Sequence, residues 1–455
     1  MRQLIFTLMT VFILIGIFSG SAVSAYASSQ PPEIIGTTGI LIDANSGKIL
    51  YNKNIDFQLE PASTTKMMTC LLALENLDMD TVVTIDAITP FTEGSRIYLL
   101  EGEEITVENL LYALMLESAN DAAVALAIEI AGSVEEFAVM MNARAKELGA
   151  LNTTFLNPNG LHEEGHVTTV YDLAMIAKSA MKNEQFRTLV STYRHVIPAT
   201  NKQEERYMYN TNRLIYDEKT QVPVLGVNRP AKYDGAIGIK TGYTSHAQSC
   251  LVSGALRDGT ELIAVVLQSS DAGRFGDCIA MLDYGFANYR SYKAIDAGTD
   301  MGEVQVKKGA VRSVETVTDS DGYVTLPPEA SDSVVTTKVV MNDEIRAPIA
   351  KGDQVGVVEI YEGSELVTTV DILATASVDE GGILSTIGIP DATAKIIFTI
   401  LCIILVLFLS LLVAFIILKQ RQIKRRKARR ARRAMEIAEE RMRKMSDYEQ
   451  RRWPY

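Results

Sequence analysis

Cysteine is scarce in this chain of 455 residues, which contains four: Cys70, Cys250, Cys278 and Cys402. Exported domains that depend on disulfides usually carry more, and in even numbers. A disulfide between Cys70 and Cys250, or between Cys250 and Cys278, is possible, but free cysteine also packs as a small hydrophobic residue. The composition therefore argues against a disulfide-stapled scaffold.

Histidine is equally scarce, with four residues. Few histidines are therefore available to act as the base of a Ser-His-Asp triad. His195 and His246 are expected to be structural or peripheral. The segment 162–166, HEEGH, has the H-E-x-x-H spacing of zinc proteases, in which a helix places both imidazoles on one face. Here glycine and proline bracket the stretch and no apolar periodicity passes through it. We therefore expect a solvated loop near the functional site, with no metal and no cofactor.

Positive charge is concentrated at the end of the chain. Residues 419–455 carry 15 Lys/Arg against five Asp/Glu, although the whole chain has a formal charge of −12. They follow residues 396–418, a run of 23 residues without a charge that is long enough to span a bilayer. Because Lys and Arg beside a span favour the cytoplasmic side, we predict a transmembrane helix over 396–418, an extracytoplasmic body and a basic cytoplasmic tail over 419–455. Such a tail could bind nucleic acid, but its position beside the membrane favours anionic lipid headgroups.

The second long apolar run lies at the N-terminus. One positive charge precedes the run Leu4–Phe18, and small residues follow as far as Ala25-Tyr26-Ala27, which fits an A-x-A cleavage site. Residues 1–27 are therefore predicted to be a secretory signal peptide. An uncleaved N-terminal anchor is the alternative.

The residue pattern between these apolar runs changes twice. Residues 39–54 are typical of a β-hairpin, several separate helical patterns lie between Ser63 and about residue 183, and short β-type runs return after residue 234. This order predicts an α+β fold over 34–295, an antiparallel sheet with a helical lobe inserted between its strands. Residues 300–378 have evenly spaced strand patterns and are predicted to be a small all-β domain. A linker over 379–395 would lead to the membrane.

Three short motifs follow one another along the predicted α+β body. Ser63-Thr64-Thr65-Lys66 is an S-x-x-K segment at the start of a helical pattern, Ser118-Ala119-Asn120 is an S-x-N triplet where a helical pattern breaks, and Lys240-Thr241-Gly242 is a K-T-G triplet on a β-type run. One S-x-x-K match is weak evidence, since Ser179–Lys182 also fits inside a helical pattern, and we interpret that match as coincidental. The ordered set is the signature of the penicillin-recognising serine enzymes.

These residue types suit acyl transfer. A serine hydroxyl is a poor nucleophile at neutral pH and needs an adjacent base. Lys66 lies one helical turn after Ser63 and can act as that base if burial and a second cation lower its pKa. Lys240 can supply the cation. Ser118 can relay a proton to the leaving amine, and Asn120 can orient the substrate amide.

The same motifs provide groups that bind a substrate. Backbone N–H groups beside Ser63 and at Tyr243 would form an oxyanion hole, whose donors typically contribute about two to three decades of rate each. Lys240, Thr241 and a nearby arginine could hold a substrate carboxylate.

Residues 36–378 resemble the serine D-alanyl-D-alanine carboxypeptidases, which are low-molecular-mass penicillin-binding proteins. Besides the three motifs, the segments 41–54, 151–174 and 234–244 are similar in place and order. The resemblance implies a β-lactamase/transpeptidase-like fold and removal of the terminal D-alanine from peptidoglycan stem pentapeptides through an acyl-enzyme. It also implies that β-lactams acylate the same serine.

The resemblance assigns roles residue by residue. It implies Ser63, Lys66, Ser118, Asn120 and Lys240 as the catalytic residues. It implies Thr241, Gly242, Tyr243 and Arg274 as substrate-binding residues, the last because it precedes a helix ending in Y-G-F. The predicted β domain corresponds to the family's C-terminal domain in position and strand content.

The chain departs from the family pattern in two respects. Many members end in an amphipathic helix on the membrane, whereas a full span and a basic tail are predicted here. No E-x-x-L-N segment of the kind used for deacylation by class A β-lactamases is present, which argues against rapid β-lactam hydrolysis. The rival hypothesis is a non-catalytic penicillin-binding scaffold or sensor that acts through its basic tail.

Overall fold

The computed structural model describes residues 30–387 and 389–451, so the predicted signal peptide lies outside the described residues. Strand-forming runs before and after the helical region belong to the same sheet, as the sequence pattern predicts. The β-strands are β1 Thr38–Asp43, β2 Ile49–Lys53, β3 Val82–Thr84, β4 Glu104–Thr106, β5 Arg194–Ile197, β6 Arg206–Tyr209, β7 Gln221–Val224, β8 Val227–Pro230, β9 Ala236–Thr244, β10 Gln248–Arg257, β11 Thr260–Ser269, β12 Arg290–Ile295, β13 Asp300–Gln305, β14 Ser313–Thr318, β15 Gly322–Leu326, β16 Val335–Met341, β17 Gln354–Glu362 and β18 Glu365–Ala374.

Most helices lie between the hairpin β1–β2 and the strands β9–β11. Their starts follow ordinary capping chemistry, in which a side-chain oxygen accepts a free backbone N–H. Thr106, Ser133, Thr169 and Asn183 each cap the helix that follows them. The α-helices are α1 Lys66–Asn76, α2 Val107–Leu116, α3 Asn120–Ala131, α4 Val134–Glu147, α5 Val170–Ala180, α6 Glu184–Ser191, α7 Gly273–Asn288 and α8 Asp391–Gln450.

The sheet that positions the site has the strand order β2-β1-β11-β10-β9 and is antiparallel throughout. Successive side chains of a strand point to opposite faces, and both faces of this sheet are buried. Ile40 and Ile42 pack into a core shared with α1 to α6, whereas Leu41 packs into a second core with Phe275 and Ile279 of α7. The predicted helical lobe is therefore inserted between strands of one antiparallel sheet, and the α+β prediction is confirmed.

The three cysteines of this body are free and buried. Cys70 and Cys250 lie in the core beneath the helical lobe, and Cys278 lies in the core beneath α7. Burial raises the pKa of each thiol, which keeps it protonated and unreactive. The two disulfides left open by the sequence are therefore not formed in this structure.

The strands after residue 289 form two further sheets. β12 pairs with β15, and the other sheet has the order β13-β14-β18-β17-β16, in agreement with a small β-rich region. The compact unit that contains the peptidase body also includes residues 320–338 and 359–370. Within this unit, β15 makes its ladder hydrogen bonds with β12.

Within the described residues, α8 is the one helix long and apolar enough to cross a membrane. It has 60 residues, a length of about 90 Å, and it includes both the apolar run and most of the basic segment. Asp391 begins it, five residues before the predicted span, and a short 3-10 helix, Ile383–Ile387, precedes it. Part of the predicted linker is therefore helical.

Candidate active site

Ser63 lies on one turn of 3-10 helix, Ala62–Thr65, that leads directly into α1. The residue before it, Ala62, has a φ of +47°, in the left-handed region that costs a non-glycine residue about 1–2 kcal/mol. Gly160 packs against this turn so closely that a Cβ there would lie 1.9 Å from the carbonyl oxygen of Ala62. The nucleophile candidate is therefore presented on a strained turn that a neighbouring glycine supports.

The side chain of Lys66 is the centre of the polar network at this turn. Its Nζ lies 3.0 Å from Oγ of Ser63, 2.6 Å from Oδ1 of Asn120 and 2.6 Å from the backbone oxygen of Asn159. The residue is completely buried. Three acceptors thus fix the amine in front of the serine hydroxyl.

The environment of Lys66 disfavours its charge. Burial, and after it the electrostatic repulsion of Lys240, hold the pKa of the Lys66 ammonium well below its usual value, against a smaller opposing effect of Asp121. The pKa of Lys240 falls to about 7, because that side chain is also buried and lies near the guanidinium of Arg274. A lysine with a lowered pKa is more readily neutral, and the neutral amine can accept a proton from a hydroxyl.

The S-x-N triplet connects α2 to α3. Ser118 has a φ of +59° and lies at the break between these helices, where the sequence predicted an interruption. Asn120 is the first residue of α3; besides its contact with Lys66, its Nδ2 donates to the backbone oxygen of Glu93 at 2.7 Å. The fixed amide of Asn120 therefore links the first and second motifs.

The K-T-G triplet lies on β9, the edge strand of the main sheet. A Cβ on Gly242 would lie 3.2 Å from the backbone nitrogen of Ser63, so this strand passes directly beside the nucleophile turn. Nζ of Lys240 donates to the backbone oxygen of Thr241, and Oγ1 of Thr241 is 2.7 Å from Oγ1 of Thr211. Tyr243 follows with a side chain 63% exposed. The third motif thus lines the cleft beside Ser63.

Arg274 lies at the start of α7, behind the third motif. One of its guanidinium nitrogens donates to the backbone oxygen of Gly242 at 2.9 Å, and the other donates to Oδ1 of Asp271 at 2.8 Å. Its Nε is buried with no hydrogen-bond partner among the described residues. The structure therefore places Arg274 against the backbone of the K-T-G strand.

Two contributors to this site were missed by the sequence analysis. The backbone oxygen of Asn159 accepts a hydrogen bond from Lys66. Because every residue has a backbone carbonyl group, residue type gives no sign of this contact. Asp121 accepts hydrogen bonds from the backbone N–H groups of Ile97 and Leu99, which secures the segment between β3 and β4 to the start of α3. Its side-chain type alone could not reveal a partner more than 20 residues away.

The H-E-x-x-H segment does not form a helix. Residues 162–166 form a loop, as expected, but His166 is buried, which corrects the prediction of a wholly solvated segment. Its Nε2 lies 3.1 Å from Oγ1 of Thr65, and burial lowers its pKa to about 4.

In the coincidental S-x-x-K segment, Ser179 lies inside α5, and Lys182 is exposed. His195 is half-buried, stacks on Tyr112 and bonds to Asn109.

The comparisons with known proteins agree with this fold. The family model described as D-alanyl-D-alanine carboxypeptidase matches residues 25–271, and that of the C-terminal domain of penicillin-binding protein 5 matches residues 289–380. The chain is 34% identical to D-alanyl-D-alanine carboxypeptidase DacF of Bacillus subtilis over 394 residues, which is 85% of this chain and 97% of the relative. It is 35% identical to a D-alanyl-D-alanine carboxypeptidase of Streptomyces sp. over 304 residues, 63% of this chain and 99% of that protein.

Solved structures show the same likeness. Penicillin-binding protein 5 from Haemophilus influenzae aligns with a TM-score of 0.59 and 29% identity, over 77% of this chain and 99% of that one. The carboxypeptidase DacD from Francisella tularensis aligns with a TM-score of 0.56 and 26% identity, over 80% and 98% of the two chains. The fold and the three motifs define a serine hydrolase. The chain belongs to the D-alanyl-D-alanine carboxypeptidase family of serine peptidases, the low-molecular-mass penicillin-binding proteins.

Proposed function

We propose that this protein removes the terminal D-alanine from peptidoglycan stem peptides through an acyl-enzyme on Ser63, and that β-lactams acylate the same hydroxyl. The observation that carries the proposal is the buried Nζ of Lys66, 3.0 Å from Oγ of Ser63, with its pKa lowered. The family of the chain and the names of its relatives support this substrate class.

In the first half of the reaction, the Oγ–H proton of Ser63 passes to the neutral amine of Lys66 while Oγ bonds to the carbonyl carbon of the penultimate D-alanine. The carbonyl oxygen becomes an oxyanion. Backbone N–H groups of Ser63 and Tyr243 are the proposed donors to it, because Gly242 brings their two segments together. Their partial positive charge stabilises the tetrahedral intermediate.

The intermediate then breaks its C–N bond. The ammonium of Lys66 gives up its proton through the hydroxyl of Ser118 to the leaving amine, and D-alanine departs, leaving an ester on Ser63 and a neutral amine on Lys66. In the second half, water attacks the ester carbon while one of its protons passes to the amine of Lys66. The bond between that carbon and Oγ then breaks, Oγ takes the proton back from Lys66, and the shortened peptide leaves with a new carboxyl group. Asn120 holds Lys66 in place and is proposed to orient the substrate amide.

The carboxylate of the terminal D-alanine needs a positive partner in the cleft. Lys240 and Thr241 lie on the strand beside Ser63, and we assign the carboxylate to them. Arg274 is proposed to act from behind the strand, since it bonds to the backbone of Gly242 and contributes its charge at close range. In this arrangement the substrate's negative end lies over the third motif.

The test uses the full chain in detergent with a diacyl-D-Ala-D-Ala peptide and a fluorescent penicillin. Wild type is expected to release D-alanine and to be labelled covalently, and Ser63→Ala is expected to do neither. Ser179→Ala, in the coincidental S-x-x-K segment, is the matched control and should behave as wild type. Absence of D-alanine release by folded wild type would refute the proposed activity.

We further propose the membrane arrangement of the chain. Residues 396–418 would span the bilayer, the peptidase body would lie outside the cell, and the basic residues 419–455 would lie inside against anionic headgroups. The 60-residue helix α8 and the basic segment that follows its apolar run support this orientation. Labelling of single cysteines introduced at Ser446 and at Ser331 in intact cells tests it: only the second should react with a membrane-impermeant maleimide.

A further inference from the structure

One cluster in the described part of the chain groups side chains that bind transition metals, and it involves none of the proposed catalytic residues. Glu60, His162 and His246 each place a ligand atom within 4.8 Å of the others. Glu60 lies three residues before Ser63. His162 lies in the loop that begins after Asn159, and His246 lies in the turn between β9 and β10. Three separate segments of the cleft therefore meet at this point.

The contacts within the cluster leave coordinating atoms free. Nδ1 of His162 is 2.8 Å from Oε1 of Glu60, and Nδ1 of His246 is 3.5 Å from Oγ of Ser245. The two imidazole rings stack, with centroids 3.7 Å apart and planes 10° from parallel. Within the described residues, neither Nε2 makes a hydrogen bond. Both rings are also exposed, so solvent reaches them.

We propose that Glu60, His162 and His246 form a binding site for a divalent transition metal, Zn²⁺ being the ion that best suits two imidazoles and a carboxylate. This inference goes beyond the proposed acyl transfer and uses a different pair of histidines from H-E-x-x-H, since His166 is buried against Thr65. Three protein ligands leave a fourth position of a tetrahedral ion for water.

Metal binding requires a small rearrangement of the cluster. Zinc bonds of about 2.0–2.2 Å place neighbouring ligand atoms roughly 3.3 Å apart, closer than the 4.8 Å limit that contains the present atoms. The stacked rings must also open, because an imidazole binds a metal in its own plane. The side chain of His162 is 44% exposed, which leaves room for that rotation.

A bound metal would connect three segments that lie next to proposed catalytic and substrate-binding residues. Glu60 continues into the turn that carries Ser63, the segment of His162 follows the carbonyl group that holds Lys66, and His246 lies three residues after Tyr243. A metal bound to all three would fix the spacing of these segments. Hydrogen exchange of the backbone at 160–165 and 243–248 should therefore slow when the metal binds.

The test is a Zn²⁺ titration of the metal-stripped full chain, purified in detergent without a polyhistidine tag, against a chromophoric competing chelator. Wild type is expected to bind one ion per chain. His162→Gln and His246→Gln should each weaken binding by more than the roughly 10–100-fold that loss of an outer-shell partner costs. Glu60→Gln should weaken it at least about tenfold, and circular dichroism would verify that each variant is folded.

His195→Gln is the matched control, because His195 lies outside the cluster and should leave zinc affinity unchanged. Failure of wild type to bind zinc saturably would overturn the proposal. Equal affinity in wild type and the His162→Gln/His246→Gln double variant would overturn it as well. Binding is measured without substrate, so a chain that releases no D-alanine could still pass this test, and the two proposals fail separately.

Discussion

Nζ of Lys66 donates a 2.6 Å hydrogen bond to Oδ1 of Asn120, although 54 residues separate them in the chain. Asn120 begins α3 and Lys66 begins α1, so this bond connects the starts of two helices. The amide oxygen is a neutral acceptor: it holds the amine in place without adding the negative charge that would favour its protonated form.

Replacing Asn120 by Asp should therefore change the pH dependence of acylation. A carboxylate in contact with Lys66 stabilises the ammonium and raises its pKa, so less free amine is present at neutral pH. We expect acylation by a fluorescent penicillin to slow at least about tenfold at pH 7 and to recover as the pH rises. An unchanged pH profile would show that Lys66 does not supply the base.

Lys66→Arg tests the base directly, because a guanidinium stays protonated at every accessible pH. Acylation of Ser63 should fall by about 100-fold to 10,000-fold, the usual contribution of general-base catalysis. Lys182→Arg is the matched control, since Lys182 is the exposed lysine of the coincidental S-x-x-K segment. Stopped-flow labelling rates should separate the two variants, and equal rates would contradict the assignment.

Lys240 should make the stability of the protein depend on pH. Its pKa is about 7 in the folded chain, against an ordinary value of 10.5. Between these values the unfolded chain binds more protons, so the free energy of unfolding should rise with pH from about 7 to 10.5. Lys240→Met should flatten this rise in urea titrations, and a parallel slope in the variant would contradict the lowered pKa.

Gly160→Ala should disturb the turn that carries Ser63. Gly160 has a φ of +82°, and its new methyl group would lie 1.9 Å from the carbonyl oxygen of Ala62. Gly149→Ala is the matched control, with a φ of +79° and no heavy atom within 4 Å; it should cost about 1–2 kcal/mol of stability and no activity. We expect Gly160→Ala to lose more stability and most penicillin labelling, and comparable effects in both variants would refute the role of this contact.

Features that depend on local sequence patterns could be predicted from the sequence, whereas contacts between distant segments could not. The inserted helical lobe was predictable because alternating and helical periodicity are local patterns. The three motifs led to the prediction of Ser63, Asn120 and Lys240 as catalytic residues. The carbonyl of Asn159 was not predictable, since its contact with Lys66 depends on how a loop folds back. The buried state of His166 was missed for the same reason: its partner Thr65 belongs to another segment.

The pairing of β1 with β11 has a consequence for how the chain acquires its structure. Thr38 lies opposite Leu267 in this ladder, so an early strand of the peptidase body finds its neighbour only after the whole helical lobe has been made. Contacts so distant along the chain form late and slowly. The five-stranded sheet therefore cannot be completed until the chain has been synthesised as far as Ser269, the end of β11.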